Sequence, residues 1–187
     1  MVSVMSLWLP ILLSAVFVFI VSSIIHMVLK YHNSDFKEVP KEADVMDALR
    51  PFNLEPGMYS MPRPKDMKDM GSPEFQEKLK KGPVAMLTVI PNGPTKMGSA
   101  LVKWFALLIV ISLFAGYVAG ITLPPGTEYI TVFRITSVVA FVAYTMGIWS
   151  QNIWYGLSTG TTIKSTIDGL IYGLVTGGTF GWLWPAM

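Results

Sequence analysis

Apolar residues along this chain come in long blocks. The first reads "LWLPILLSAVFVFIVSSIIHMVL" (residues 7–29) and the second "LVKWFALLIVISLFAGYVAGI" (residues 101–121). A third covers residues 129–149 and a fourth residues 167–184. A helix crosses about 30 Å of hydrocarbon with about 17–25 mostly apolar residues, and the blocks have that length. The pattern predicts an all-α membrane protein with four transmembrane helices. "TLPPGTE" (residues 122–128) turns the chain back between the second and third, because its prolines and glycine cannot continue a helix.

Between the first and second blocks the pattern breaks down. Residues 30–100 hold nine of the 13 prolines and predict a mostly irregular segment. Two short amphipathic helices are expected in it. One is "KEADVMDALR" (residues 41–50), closed by Pro51; the other is "SPEFQEKLKKG" (residues 72–82), with Ser72 as N-cap, Pro73 at the first helical position and Gly82 as the stop. So broken a segment is not expected to bury a core of its own, and should lie on the membrane face or on a partner. "VAMLTVI" (residues 84–90) is too short to span and reads as a strand, an interfacial segment or a contact for another subunit. The predicted organisation is a transmembrane helix at residues 1–29, the proline-rich segment at 30–100, and a three-helix transmembrane bundle at 101–187.

Aromatic and charged residues add orientation. Trp8, Trp104, Trp149, Trp154, Trp182 and Trp184 all fall near predicted span ends, where an indole keeps its ring buried and its N–H wet. Of 14 Lys and Arg and 12 Asp and Glu, 12 and 10 respectively lie between Lys30 and Lys103. Lys30, Lys37, Lys41, Lys80, Lys81, Lys96 and Lys103 flank the long segment and Lys164 follows the third span, whereas the chain ends and the "TLPPGTE" turn carry no Lys or Arg. The positive-inside rule then predicts a cytoplasmic long loop with both termini outside. The first span lacks a basic n-region and a small-x-small cleavage site, so it is expected to stay as an anchor. The chain has no cysteine, which excludes disulfides, thiolate metal sites and Cys nucleophiles.

Few residues could carry chemistry. Gly169, Gly173, Gly177 and Gly181 recur every fourth position, drifting only about 40° around a helix over three steps. With Gly116 and Gly120 on the second span they predict helix-packing grooves, in which small residues let backbones approach closely in lipid. A neighbouring span is the leading occupant, with self-association, another protein or a pore as alternatives. Asp168 reads first as a helix cap, because Ser165 stands three residues before it in a capping-box pattern. The functional alternative is a polar path along Asp168, Tyr172 and Thr176 on one helical face. Arg134 near the outer end of the third span, and Lys103, predict lipid or partner contacts; most of the membrane separates Arg134 from Asp168. His26 and His32 share one helix end without a surrounding carboxylate constellation, and the pairs Met58/Met61 and Met67/Met70 sit in an inner segment, so no metal or cofactor is predicted. "GPTKMGS" (residues 93–99) lacks the lysine that follows the last glycine of a phosphate loop and leads into a membrane helix. Nucleic acid is excluded as a partner, since acids nearly match the basic residues of the loop.

The start "MSLWLPILLSAVFVFIVSSIIHMVLKYH", the middle "KKGPVAMLTVIPNGP" and the close "DGLIYGLVTGGTFGWLWP" resemble bacterial inner-membrane proteins of unknown function. That resemblance implies a bacterial source and a single-piece membrane fold, and brings no activity or site residues with it. The leading expectation is a non-catalytic accessory or assembly subunit of a larger membrane complex, with lipid and other subunits or copies of itself as partners. A small oligomeric transporter or channel is the second. A membrane enzyme or metal- or haem-binding protein is the third.

Overall fold

The computed structural model describes residues 1–94 and 96–186 and is mostly helical, with one two-stranded sheet. After a 3-10 turn at Val4–Leu7 come α1 (Trp8–Ser23), extended by a π-helical turn at Ile24–Leu29, and a 3-10 turn at Tyr31–Asp35. Next are α2 (Glu42–Leu49), β1 (Gly57–Met61), α3 (Met67–Met70), α4 (Pro73–Lys81) and β2 (Ala85–Val89). Three long helices close the chain: α5 (Met97–Thr122), α6 (Tyr129–Tyr155) and α7 (Thr159–Trp182). Two compact units result, Met1–Phe36 with Lys96–Met187, and Lys37–Thr95.

Among the described residues, three helical stretches are long and apolar enough to cross a membrane: Val4–Leu29, Met97–Thr122 and Tyr129–Tyr155. The fourth helix, α7, has 24 residues. Its threonines and glycines, with Lys164 and Asp168, make it less apolar than the other three. That polarity has a direction. Thr162, Asp168, Gly169, Tyr172, Gly173 and Thr176 are buried, while Ile163, Ile167, Leu170 and Leu174 form an exposed stripe at helical spacing. The helix is polar inside and apolar outside.

Helix α1 packs on α5 and α7, α5 on α6, and α6 on α7, which closes a ring of four. One core cluster joins Leu7, Ile11, Ala115, Ala119, Val132 and Phe180; a second joins Ala15, Val18, Ile25, Leu108 and Tyr172. Buried Ser14 donates to Ser112 Oγ at 2.9 Å and ties α1 to α5. Gly116 lies against Phe180 and Ile11, and a Cβ on Gly120 would come within 2.6 Å of the Val2 carbonyl.

The glycine ladder of α7 is filled by α6. A Cβ at Gly169 would strike Thr145, one at Gly173 would lie 3.0 Å from the Ser137 carbonyl and 3.1 Å from Phe141, one at Gly177 would meet Ser137 and the Phe133 carbonyl, and one at Gly181 would lie 2.7 Å from the Tyr129 ring. The contacting residues Tyr129, Phe133, Ser137, Phe141 and Thr145 are themselves spaced by four. An i±4 row of one helix therefore sits in the i±4 groove of its antiparallel neighbour. The chain turns between them at Gly156, whose φ of 72° is the left-handed conformation that glycine adopts freely at a helix C-terminus.

The unit Lys37–Thr95 is built differently. Strands β1 and β2 pair antiparallel, with Tyr59 opposite Leu87, so the stretch around residues 84–90 is a strand. Ser72 caps α4 by accepting from the Phe75 amide at 3.1 Å. Phe75 is the one buried side chain among the described residues of this unit, while Phe52, Met58, Met67, Val84 and Ile90 are exposed.

The α6–α7 contact leaves no room for side-chain atoms on the ladder. Gly177→Ala is expected to lower stability by about 1–3 kcal/mol through overpacking. Gly147→Ala, on a face of α6 with nothing within 4 Å, should cause no loss. Reversible unfolding in mixed detergent micelles measures both.

Candidate functional site

Charged and aromatic residues converge where α1 ends and α7 begins. In an uninterrupted α-helix His26 and His32 would point about 120° apart. The π-turn at Ile24–Leu29 and the left-handed backbone of Lys30 (φ 55°) change that direction. The two imidazoles consequently stack, with ring centroids 4.6 Å apart and planes inclined by 19°. Such π-turns are uncommon and occur often at functional sites.

Asp168 reaches this stack from the other end of the sequence. Its Oδ2 lies 2.7 Å from His32 Nε2, and its Oδ1 accepts a hydrogen bond from the Tyr31 hydroxyl. On its other side His32 Nδ1 is 2.6 Å from Asp35 Oδ2. His26 Nδ1 is 3.1 Å from the Ser22 carbonyl. Lys164 completes the set by donating to the Tyr31 carbonyl at 2.8 Å, to Ser34 Oγ at 2.8 Å and to Asp35 Oδ1 at 2.7 Å, which uses all three ammonium protons. Burial pushes the Asp35 carboxyl up, but hydrogen bonds and charge from Lys164 and His32 outweigh it and hold the group below its ordinary value of 3.8.

The cap reading of Asp168 is corrected by this geometry. Helix α7 starts at Thr159 with Ser158 as its N-cap, so Asp168 sits about two and a half turns inside, far from the free amides a cap would satisfy. Ser165 lies inside the same helix. The carboxylate is held by Tyr31 and His32. The carboxylates beside the two histidines come from Asp35, three residues after His32, and from Asp168 on α7. One ring nitrogen of His26, one of His32 and one carboxylate oxygen of Asp168 lie within 4.8 Å of one another.

Beyond Asp168 the row Tyr172 and Thr176 turns into the bundle, with relative exposures of 3%, 4% and 0% for the three residues. The hydroxyls of Tyr144, Tyr172, Thr176 and Ser137 are buried without a protein hydrogen-bond partner. Aromatic rings fence them in: Tyr144 and Tyr172 meet edge to face at 5.4 Å, and Trp104, whose Nε1 donates to Ser22 Oγ at 3.0 Å, lies 6.2 Å from Tyr172. Arg134 and Lys103 lie exposed on the bundle, and among the described residues neither forms an ion pair. Met58 and Met61 on β1 and Met67 and Met70 on α3 are exposed.

Sequence reasoning missed Tyr31, Asp35 and the link from Lys164 to the 31–35 turn. It placed His26, His32, Lys164 and Asp168 toward the same face of the membrane, and that shared level was the available signal. No known protein family, curated protein or solved structure matches the chain.

Lys164 anchors the turn at Tyr31–Asp35 to α7 through three bonds. Lys164→Met is expected to cost about 1.5–3 kcal/mol of local stability, the range for hydrogen bonds to a charged group. Hydrogen exchange should show it as faster exchange across the amides of residues 31–36, with α5 and α6 unchanged.

Proposed function

We propose that this chain is a non-catalytic integral protein of the bacterial inner membrane and an accessory or assembly subunit of a larger membrane complex. It crosses four times, with both termini outside and the segment at 30–100 in the cytoplasm. The fourth crossing is supported by α7 itself: its length of 24 residues corresponds to about 36 Å, its exposed stripe is aliphatic, and its polar groups face other helices.

The observation that carries the subunit reading is the unit Lys37–Thr95. Its large apolar side chains at Phe52, Met58, Val84 and Ile90 are exposed around a single buried phenylalanine. So thin a core contributes little against chain entropy. Burial against another subunit removes that apolar surface from water at about 25 cal/mol per Å². The ladder at Gly169, Gly173, Gly177 and Gly181 is occupied by α6, so the partner is recognised by the segment at 30–100 and not by that groove.

A second reading, a small transporter working as an oligomer, is favoured by one observation, the unpartnered hydroxyls beyond Asp168. Each is costly to bury unless it serves a polar occupant. In this reading Asp168, Tyr172 and Thr176 line the path, and Asp168→Asn abolishes flux in reconstituted vesicles; unchanged flux removes the reading.

For the subunit reading, photo-crosslinkers at Phe52 and Ile90 in native membranes should capture a discrete protein species, while one at Leu170 on the lipid-facing stripe should not. Purification in mild detergent as a monomer, with no crosslinked protein from either position, would overturn it.

A further inference from the structure

Nothing in the subunit reading requires the stack of His26 and His32 over Asp168. The geometry points to a first-row divalent transition-metal site there, with His26, His32 and the Asp168 carboxylate as ligands. Both histidines have the second-nitrogen partner that metal ligands usually have. A ligating imidazole usually gives its second ring N–H to a carbonyl or carboxylate, which fixes the ring and presents the other nitrogen's lone pair. His26 Nδ1 faces the Ser22 carbonyl and His32 Nδ1 faces Asp35 Oδ2, at 3.1 and 2.6 Å. In both rings this leaves Nε2 as the ligand.

Asp168 supplies the third ligand. Its Oδ1 is taken by Tyr31, which leaves Oδ2 turned toward His32 Nε2 at 2.7 Å. Without metal, one proton bridges that pair. An ion with bonds of about 2.0–2.2 Å takes the proton's place once the two atoms separate to roughly 3 Å, and the displaced proton leaves to solvent. His26 is exposed, which gives the ion an entry path, while Asp168 is buried. Asp35 acts behind His32 and is itself held by Lys164, so the order Lys164, Asp35, His32, metal forms one connected support.

The donor set selects the ion. Two imidazoles and one carboxylate suit zinc and its neighbours; calcium and magnesium prefer oxygen cages, and copper(I) prefers sulfur. Three protein ligands leave a fourth position for water or another small ligand.

Zinc is the probe. The full-length untagged chain in lipid nanodiscs is stripped with chelator, loaded with Zn²⁺, desalted and analysed for metal. We expect one zinc per chain, lost in His32→Gln and in Asp168→Asn. Asp35→Asn, which changes the partner of His32 Nδ1 and of Lys164 but removes no ligand, should weaken binding by about 10–100-fold. His26→Gln changes an exposed ring and leaves the bundle core intact; it should lower zinc affinity while the far-ultraviolet dichroism stays that of the parent. Cobalt loading gives an independent readout, as a visible absorption band that shifts or disappears in the His26 variant. Folded parent chain that retains no zinc, or retention equal in the parent and His26→Gln, overturns the site.

Discussion

The distance between α6 and α7 sets the positions of the other helices. Apolar side chains gain nothing from leaving lipid for one another, so membrane helices associate through close packing and polar contacts. Gly169, Gly173, Gly177 and Gly181 let the backbones approach until the Phe133 and Ser137 carbonyls touch the glycine face. At that distance the dispersion contacts and weak Cα–H bonds of the whole seam act together. Because α7 is fixed by its glycine face, its neighbouring face is aimed at α1 and α5. That face carries Asp168, Tyr172 and Thr176, so one packing requirement also determines where the buried polar groups point.

The charged cluster obeys a second constraint. Asp35 and Asp168 are nearly inaccessible, and an isolated buried carboxylate is strongly unfavourable. Here every carboxylate oxygen has a partner: Asp168 uses Tyr31 and His32, and Asp35 uses His32 and Lys164. The groups are mutually dependent, since His32 is shared by both acids. Polar networks satisfied in this way specify a single arrangement, and partial ones are worse than none. Past Asp168 the satisfaction ends: the buried hydroxyls of Tyr172, Thr176, Tyr144 and Ser137 have no protein partner.

Legibility in the sequence followed the range of the interactions involved. Long apolar blocks, the Ser72 cap, the turn at Pro124 and Pro125 and the strand option for the stretch near residue 87 are local signals, and each has a counterpart in the fold. The start of α7 lies earlier than the apolar block because hydropathy falls over "STGTTIKST", where Ser158 accepts from the Thr161 amide at 3.5 Å. Ser165 and Asp168 imitate a capping box inside a helix that had already begun. The meeting of His32 with Asp168 joins residues 136 apart. It depends on a π-turn and on one left-handed lysine, neither of which has a residue pattern of its own.

The matched rows on α6 and α7 also have a mechanical meaning. Glycines every four residues, set against Tyr129, Phe133, Ser137, Phe141 and Thr145, behave as a gear with a pitch of about 6 Å, four residues at about 1.5 Å each. Intermediate positions would drive side chains into the ridges between the glycines, so α7 cannot creep along α6 by a residue. A full tooth would carry Asp168 about 6 Å from His32, twice the length of a hydrogen bond. Sliding and an intact charged cluster exclude each other, and any piston-like motion of α7 would be felt at once by the turn at Tyr31–Asp35.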